Sequence, residues 1–232
     1  MRALLILIAL PSLAVAQTVD LTNWKLQLPV DTERRGNPDE VHQPELATFS
    51  DPNYFFFDDA AGGYIFRAHA GGVTTENSRY PRSELREMAE GGTEKASWGT
   101  DDGGNHTMTA VLAVNRLPPK KPHLVCAQIH NGSYILMIRL EAEKLFIARQ
   151  DKADIVLDAD YELGREFETT LMAGDGRIRV LHNGKERLAW NTKRKSCYFK
   201  TGCYLQSNPD RGDQPDAMGE VLLKSLKLSH ER

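Results

Sequence analysis

The sequence predicts an all-β fold, either a sandwich of two antiparallel sheets or a barrel. Short runs of apolar and β-branched residues recur along the chain and are separated by glycine, asparagine, aspartate and proline. Among these separators, Asn183-Gly184 is the pair preferred in type I′ hairpin turns. Helical periodicity over three turns is hard to find anywhere in the 232 residues. Many closely spaced strands with few helices are typical of antiparallel sandwiches and barrels.

The predicted strands follow one another along the chain, and turn-forming residues separate them. Asn131-Gly132 lies between two of them, and Gly174-Asp175-Gly176 lies between another two. In chain order the predicted strands are 63–70, 106–114, 123–130, 133–141, 144–150, 167–173, 177–183, 185–191, 203–206 and 220–229. No repeat, low-complexity tract or linker interrupts the series, so we expect a single domain.

Residues 1–16 have the organisation of a secretory signal peptide. Arg2 supplies the positive start, residues 3–10 are apolar, and Ala14-Val15-Ala16 fits a cleavage site with small residues. The apolar run is too short to span a bilayer, which needs about 20 residues. We therefore expect a secreted protein without a membrane anchor, whose single domain is formed by residues 17–232.

The charge and the cysteines narrow the class of protein further. The formal net charge of −3 argues against a nucleic-acid-binding protein, so a polyanionic partner would have to meet basic residues gathered locally. The chain has three cysteines, Cys126, Cys197 and Cys203, and because this number is odd at least one thiol must stay unpaired. A Cys197–Cys203 disulfide stays open, because a straight strand would separate the pair by about 20 Å but a bend at Gly202 could close the gap.

The segment PRSELREM, residues 81–88, carries an unusual row of charges. In an extended chain Arg82, Glu84 and Arg86 lie on the same face, because side chains alternate along a strand. Such a row is either a solvated sheet surface or a binding surface for an anion. The segment alone does not distinguish a solvated surface from an anion-binding surface, so other segments are needed.

Two further segments combine polar and aromatic side chains on one face of a predicted strand. In CAQIHNG, residues 126–132, Gln128 and His130 share a face. A single histidine on a strand is more often a surface residue than a catalytic one. In CYFKTGCYLQSN, residues 197–208, the residues that share a face are Tyr198, Lys200, Gly202, Tyr204 and Gln206. Lysine and glutamine suit a core poorly, and a glycine opens space where a ligand approaches the backbone.

The segments RSELREM, QIH and YFKTGCYLQ, in this order, resemble the three signature blocks of the alginate lyases of polysaccharide lyase family 7. The segment VDLTNWKLQLPVD, residues 19–31, is similar to the family's start, and the resemblance extends to the last predicted strand. Thr201 departs from the family, which more often has alanine there. The resemblance implies a β-jelly roll, a sandwich of two antiparallel sheets with a concave substrate-binding groove.

The resemblance also implies an activity, which is endolytic β-elimination at the 4-O-linked bond of alginate. The positions that match the family's catalytic residues are Arg86, Gln128, His130 and Tyr204. The other polar side chains of these blocks are predicted to bind the polymer, and they are Arg82, Glu84, Lys200, Tyr198 and Gln206. Alternation along the strand suggests that Glu84 holds the arginines in place.

The chemistry of β-elimination agrees with these residue types. Arg86 and Gln128 can hold the uronate carboxylate and stabilise the charge that builds up when the C5 proton leaves. A histidine, with an ordinary pKa near about 6.5, suits the base, and a tyrosine suits the acid that protonates O4. No metal and no cofactor are expected. The expected partner is alginate, and the protein is expected to be a monomer.

Whether guluronate or mannuronate is cut determines which residues act as base and as acid. In guluronate the C5 proton and O4 lie on opposite faces of the ring, so base and acid must be separate groups. In mannuronate they lie on the same side, and Tyr204 could perform both transfers. In the family that the chain resembles, isoleucine in QIH is associated with guluronate, so Ile129 favours guluronate-containing blocks.

Three other functions stay open. A carbohydrate-binding module would share the sandwich and the basic face, but it would not need a histidine and a tyrosine beside a carboxylate-binding amide. A glycoside hydrolase normally needs two carboxylates, and Glu141 and Glu143 form such a pair only in a short segment before a turn. A lyase that acts on another polyuronate, such as glucuronan, would need the same chemistry.

Overall fold

The computed structural model describes residues 19–32 and 36–231. The predicted signal peptide, residues 1–16, lies outside this part. Within it the chain forms sixteen strands and three short 3-10 turns, Glu45–Ala47, Glu90–Gly92 and Pro209–Arg211. None of the helical turns in these ranges is long and apolar enough to cross a membrane.

The strands are bounded as follows. In chain order they are β1 Trp24–Gln27, β2 Glu40–Val41, β3 Phe55–Asp58, β4 Gly63–His69, β5 Arg82–Ala89, β6 Glu94–Lys95, β7 Asn105–Arg116, β8 His123–His130, β9 Tyr134–Glu141, β10 Lys144–Arg149, β11 Lys152–Asp158, β12 Phe167–Gly174, β13 Arg177–His182, β14 Lys185–Asn191, β15 Tyr198–Leu205 and β16 Met218–Glu231.

The strands form two antiparallel sheets, which confirms the predicted all-β sandwich. The larger sheet has nine strands in the order β11-β10-β9-β8-β15-β5-β1-β2, with β6 beside β5. The smaller has seven strands in the order β14-β13-β12-β7-β16-β4-β3. Strands that are distant in sequence, such as β8, β15 and β5, become neighbours in the larger sheet, so the three motifs of the sequence lie side by side.

The core lies between the sheets and takes every second side chain of the central strands. On β5 the side chains of Ser83, Leu85 and Glu87 are fully buried on this side, and on β15 Phe199 is fully buried as well. Apolar side chains from both sheets interdigitate here, which is the main source of stability in such a sandwich. The residues between them, including Arg86, therefore face the opposite side of the larger sheet.

Glu87 is the charged exception in this core. Its carboxylate accepts hydrogen bonds from the Trp98 indole at 3.0 Å and from the Phe199 backbone amide at 2.7 Å. The His230 ring lies 2.8 Å from it, and the other nitrogen of that ring lies 2.8 Å from His106. These partners join both sheets, so a carboxylate that would be expensive to bury alone is fully partnered.

Strand β15 begins at Tyr198, five residues before the predicted strand 203–206. Its first half lacks a continuous apolar pattern, and its pairing with β8 shifts register between Thr201 and Tyr204. Gly202 sits in this irregularity with a φ of +139°. A Cβ there would lie 2.7 Å from the Ser83 carbonyl oxygen on β5, so only glycine lets the two strands approach.

The Cys197–Cys203 disulfide that the sequence left open is not formed. All three cysteines are free and buried. Burial raises the pKa of Cys126 and of Cys197 to about 12, and it raises the pKa of Cys203 as well. These thiols therefore act as small apolar core residues and not as nucleophiles.

Replacement of Gly202 tests the close approach of β15 and β5. We expect Gly202→Ala to lower the free energy of unfolding by about 1–3 kcal/mol more than Gly164→Ala does. Gly164 also has a positive φ, +85°, but a Cβ there would meet no atom within 4 Å, so it reports backbone strain alone. Urea unfolding followed by circular dichroism gives both values, and equal losses would contradict the steric argument.

Candidate active site

The candidate site is a cavity of about 410 Å³ on the face of the larger sheet that points away from the core. Strand register brings its residues together, because Lys200 on β15 lies opposite both Arg86 on β5 and Gln128 on β8. Tyr198 lies opposite His130 in the same way. Side chains from three distant segments thus meet within a few ångströms.

Seven of the nine site residues predicted from the sequence line this cavity. They are Arg82, Arg86, Gln128, His130, Tyr198, Lys200 and Tyr204. Glu84 is fully buried beneath it. Gln206 lines an adjoining hollow of about 350 Å³, and its amide donates to the Leu205 carbonyl at 2.8 Å. The two hollows have five lining residues in common, so together they form one trough. The shared residues are Asn77, Ser78, Tyr134, Met137 and Tyr204.

Glu84 is the electrostatic centre of the cavity floor. Its carboxylate accepts close hydrogen bonds from the Lys200 ammonium and the Gln128 amide, and Arg82 approaches it at 3.3 Å. Burial alone would raise the pKa of Glu84, but the charges of Lys200 and Arg82 outweigh burial and lower it. Glu84 therefore stays ionised and holds Lys200, Arg82 and the Gln128 amide in place. The prediction that it holds both arginines applies to Arg82 only, because Arg86 donates to backbone carbonyls instead.

The cations of the floor exceed the one buried carboxylate. Burial and the neighbouring Arg82 lower the pKa of Lys200 to about 8, although Glu84 opposes this shift. Arg86 lies with its guanidinium 4.0 Å above the Tyr198 ring and donates to the backbone carbonyls of Glu87 and Ala96. With three cations around one carboxylate, the floor has a surplus of positive charge that suits an anion.

Tyr204 is held at the other side of the cavity by two contacts. The Arg82 guanidinium lies 3.7 Å above its ring, and the Ser78 hydroxyl lies 3.3 Å from its oxygen. Arg82 also donates to Ser78 at 2.7 Å. The phenol is thereby fixed beside a positive charge, which stabilises negative charge on its oxygen during a proton transfer.

His130 ends strand β8 and is held through one ring nitrogen. The Tyr198 hydroxyl lies 2.8 Å from Nδ1, and the Gly132 backbone amide donates to the same atom at 3.1 Å. Burial lowers the pKa of His130 to about 4, and the charges of Lys200, Arg82 and Arg86 add to the effect. The ring is therefore neutral at neutral pH.

The structure adds site residues that the sequence analysis did not name. Lys25 and Gln27 reach the cavity from β1, and Asn77 and Ser78 reach it from the segment before β5. Alternation in NWKLQ could have indicated the first pair, since β1 lies directly beside β5. Ser78 has no such signal, because it lies outside any strand. In the described part of the chain no group of three histidine, cysteine, aspartate or glutamate side chains is arranged to hold a metal ion.

Comparison with known proteins points to one family. The profile of the alginate lyase family matches residues 19–230. A curated alginate lyase from Klebsiella pneumoniae is 37% identical over 97 residues, which are 40% of this chain and 32% of the relative. The matched segment thus spans about a third of that relative's length.

Solved structures resemble nearly the whole chain. An alginate lyase from polysaccharide lyase family 7 is 43% identical, with a TM-score of 0.88 over 92% of this chain and 97% of its own. The alginate lyase from Corynebacterium sp. is 40% identical, with a TM-score of 0.86 over 92% of this chain and 96% of its own. The sequence identity and the coverage are high enough to establish the family as well as the fold.

Substitution of Glu84 tests its role at the centre of the floor. Glutamine keeps the shape but removes the charge that offsets Lys200 and Arg82, so Glu84→Gln should destabilise the protein by about 3–5 kcal/mol. The matched control is Glu186→Gln on β14, where the carboxylate pairs with Arg179 in solvent and should contribute about 0–1 kcal/mol. Urea unfolding measures both, and similar losses would contradict the assignment.

Proposed function

This chain belongs to the alginate lyase family, polysaccharide lyase family 7, and we propose that it is a secreted endolytic alginate lyase. The proposed reaction is β-elimination at the 4-O-linked bond, which leaves an unsaturated sugar at one product end. The observation that supports it most directly is the cationic floor, where Arg86 and Lys200 meet Gln128, His130 and Tyr204 in one cavity. A uronate carboxylate and two proton transfers need just such a set.

The first task of the site is to bind the carboxylate of the sugar that loses its C5 proton. Arg86 and Gln128 both line the cavity, and the hydrogen bonds of Arg86 that fix it go to backbone carbonyl oxygens, so its charge is available to the substrate. Gln128 donates one amide hydrogen to Glu84 and has a second to offer. Their donors stabilise the enolate-like intermediate more than the ground state, which accelerates the reaction.

The second task is proton transfer, which we assign to Tyr204 with His130 beside it at the reacting sugar. Tyr204 protonates the leaving O4, since its hydroxyl lines the cavity and Arg82 stabilises the phenolate that remains. Tyr198, Lys200 and Tyr204 lie along one face of β15, and His130 contacts the reacting sugar from the Tyr198 end, opposite to Tyr204. Arg82 and Lys200 bind neighbouring carboxylates of the polymer.

Endolytic cleavage agrees with the shape of the site. The cavity continues into the hollow that Gln206 lines, so several sugars can bind along the sheet on either side of the bond. Secretion is supported by the signal sequence at residues 1–16. We propose further that the enzyme acts as a monomer, without a membrane anchor. Glucuronan is the alternative substrate, since it presents the same carboxylate chemistry.

The experiment that tests this function follows absorbance in the near ultraviolet, where the unsaturated product absorbs. Alginate and glucuronan are supplied separately to the purified protein. Absorbance that rises with alginate and stays flat with glucuronan is expected. Binding of alginate without any absorbance change would instead identify a carbohydrate-binding module.

Removal of the Tyr204 hydroxyl should abolish most turnover. Tyr204→Phe keeps the ring against Arg82, so we expect an intact fold and a loss of at least about a hundredfold on every alginate block. The matched control is Tyr64→Phe on β4 of the other sheet, where the ring packs against Phe55 and activity should be unchanged. Circular dichroism confirms folding, and a folded Tyr204→Phe enzyme with normal rates would refute the assignment.

The endolytic mode predicts how viscosity and product size change together. Because cuts fall within the polymer, the viscosity of an alginate solution should drop early while the products are still long oligosaccharides. Viscometry and size-exclusion chromatography of the same samples measure both. Dimers or monomers from the first minutes, with viscosity almost unchanged, would show an exolytic enzyme.

A further inference from the structure

The contacts of the His130 ring determine which of its nitrogens carries the proton. A backbone amide can only donate, so the Gly132 contact at 3.1 Å requires that Nδ1 accept. The Tyr198 hydroxyl, 2.8 Å from the same nitrogen, can donate to it as well. In a neutral imidazole the other nitrogen then holds the hydrogen, which places it on Nε2.

We propose that Tyr198 and the Gly132 amide are positioning groups that hold His130 in the Nε2–H tautomer, and that this directs the enzyme to mannuronate. The inference rests on the proposed function and deepens it. Tyr198 was predicted to bind substrate, whereas here its hydroxyl acts through His130. The sequence order His130-Asn131-Gly132 supports the arrangement, because the tight turn brings the Gly132 amide back to the ring.

The tautomer decides what His130 can do for the reaction. Both described hydrogen bonds of the ring use Nδ1, so Nε2 is the nitrogen left to the occupant of the cavity. A protonated Nε2 donates to the substrate carboxylate and cannot take the C5 proton. In the opposite tautomer the Nδ1–H would point at the Gly132 N–H, and two donors would face each other without an acceptor. With its pKa near 4, the ring also stays neutral in the working enzyme.

Both proton transfers then fall to Tyr204. In the proposed step the deprotonated oxygen of Tyr204 takes the C5 proton, with Arg82 over the ring to stabilise its charge, the C4–C5 double bond forms and the C4–O4 bond breaks. The phenol gives the same proton to O4 and returns to phenolate, so the transfers balance. One group can do both only when the C5 proton and O4 lie on the same side of the ring, as in mannuronate. Mannuronate preference is the reverse of the one that Ile129 suggested.

The first test reads the tautomer directly. Long-range nitrogen–proton NMR of the ¹⁵N-histidine-labelled protein at neutral pH distinguishes a protonated ring nitrogen from an unprotonated one, and His130→Gln identifies the signal by its disappearance. We expect the proton on Nε2. A proton on Nδ1 would overturn the proposal, whatever the activity of the enzyme.

The second test separates a hydrogen-bond donor from a base. Glutamine places an N–H at about the distance of Nε2 but cannot accept the C5 proton. On mannuronate blocks we expect His130→Gln to retain activity within about tenfold of the wild type, and His130→Ala to lose about a hundredfold. Equal, severe losses in both variants would overturn the donor role.

The third test concerns substrate choice and Tyr198. The wild type should cleave polymannuronate with a higher kcat/KM than polyguluronate. Tyr198→Phe keeps the ring beneath Arg86 but leaves the Gly132 amide as the one described donor to Nδ1, so the Nε2–H tautomer is held less firmly. The guluronate-to-mannuronate ratio should then rise by up to about tenfold, while Tyr64→Phe leaves the ratio unchanged. A guluronate preference in the wild type, or an unchanged ratio in Tyr198→Phe, would overturn the proposal. Inactivity on both polymers would refute the proposed function itself, and the NMR result would still decide the tautomer.

Discussion

The carboxylate of Glu84 is the interaction on which the site depends. An ammonium and a guanidinium at the floor of a cavity repel each other and lose hydration, and each would be unstable there without a counter-charge. Glu84 supplies that charge from a fully buried position and also orients the Gln128 amide. Because it neutralises only one of the cations around it, the floor keeps its attraction for an anionic polymer. A single carboxylate thus provides both stability and a binding surface.

Much of the architecture follows from periodicity in the sequence. Alternation along residues 82–86 and 198–204 correctly separates the cavity side chains from the core, because a strand has no other way to arrange them. Local sequence patterns do not show which strands pair with each other in a sheet. That β15 lies between β8 and β5 was not predicted, and neither were the strands β1, β2, β3, β6 and β11. Edge strands such as β11 carry mixed polar composition, which weakens their signal.

The features that escaped prediction arise from contacts between segments. The Ser78 hydroxyl contacts that of Tyr204, which is more than a hundred residues away in sequence, and the residues around Ser78 do not predict this contact. The protonation of His130 is a similar case. A histidine on a strand suggests a base, but the direction of its hydrogen bonds depends on Tyr198 and on a backbone amide. Residue types therefore predicted which groups assemble, whereas their roles depend on how each is held.

The three free cysteines have a practical consequence. Because no disulfide contributes to the fold and each thiol is buried within the sandwich, the stability of the described domain owes nothing to an oxidant. Such a chain can fold in the reducing cytosol of an expression host, without a periplasmic oxidase or a disulfide isomerase. Reducing agents in a buffer should be harmless to it, and reagents that modify thiols should report unfolding, since they reach these sulfurs only when the sheets separate.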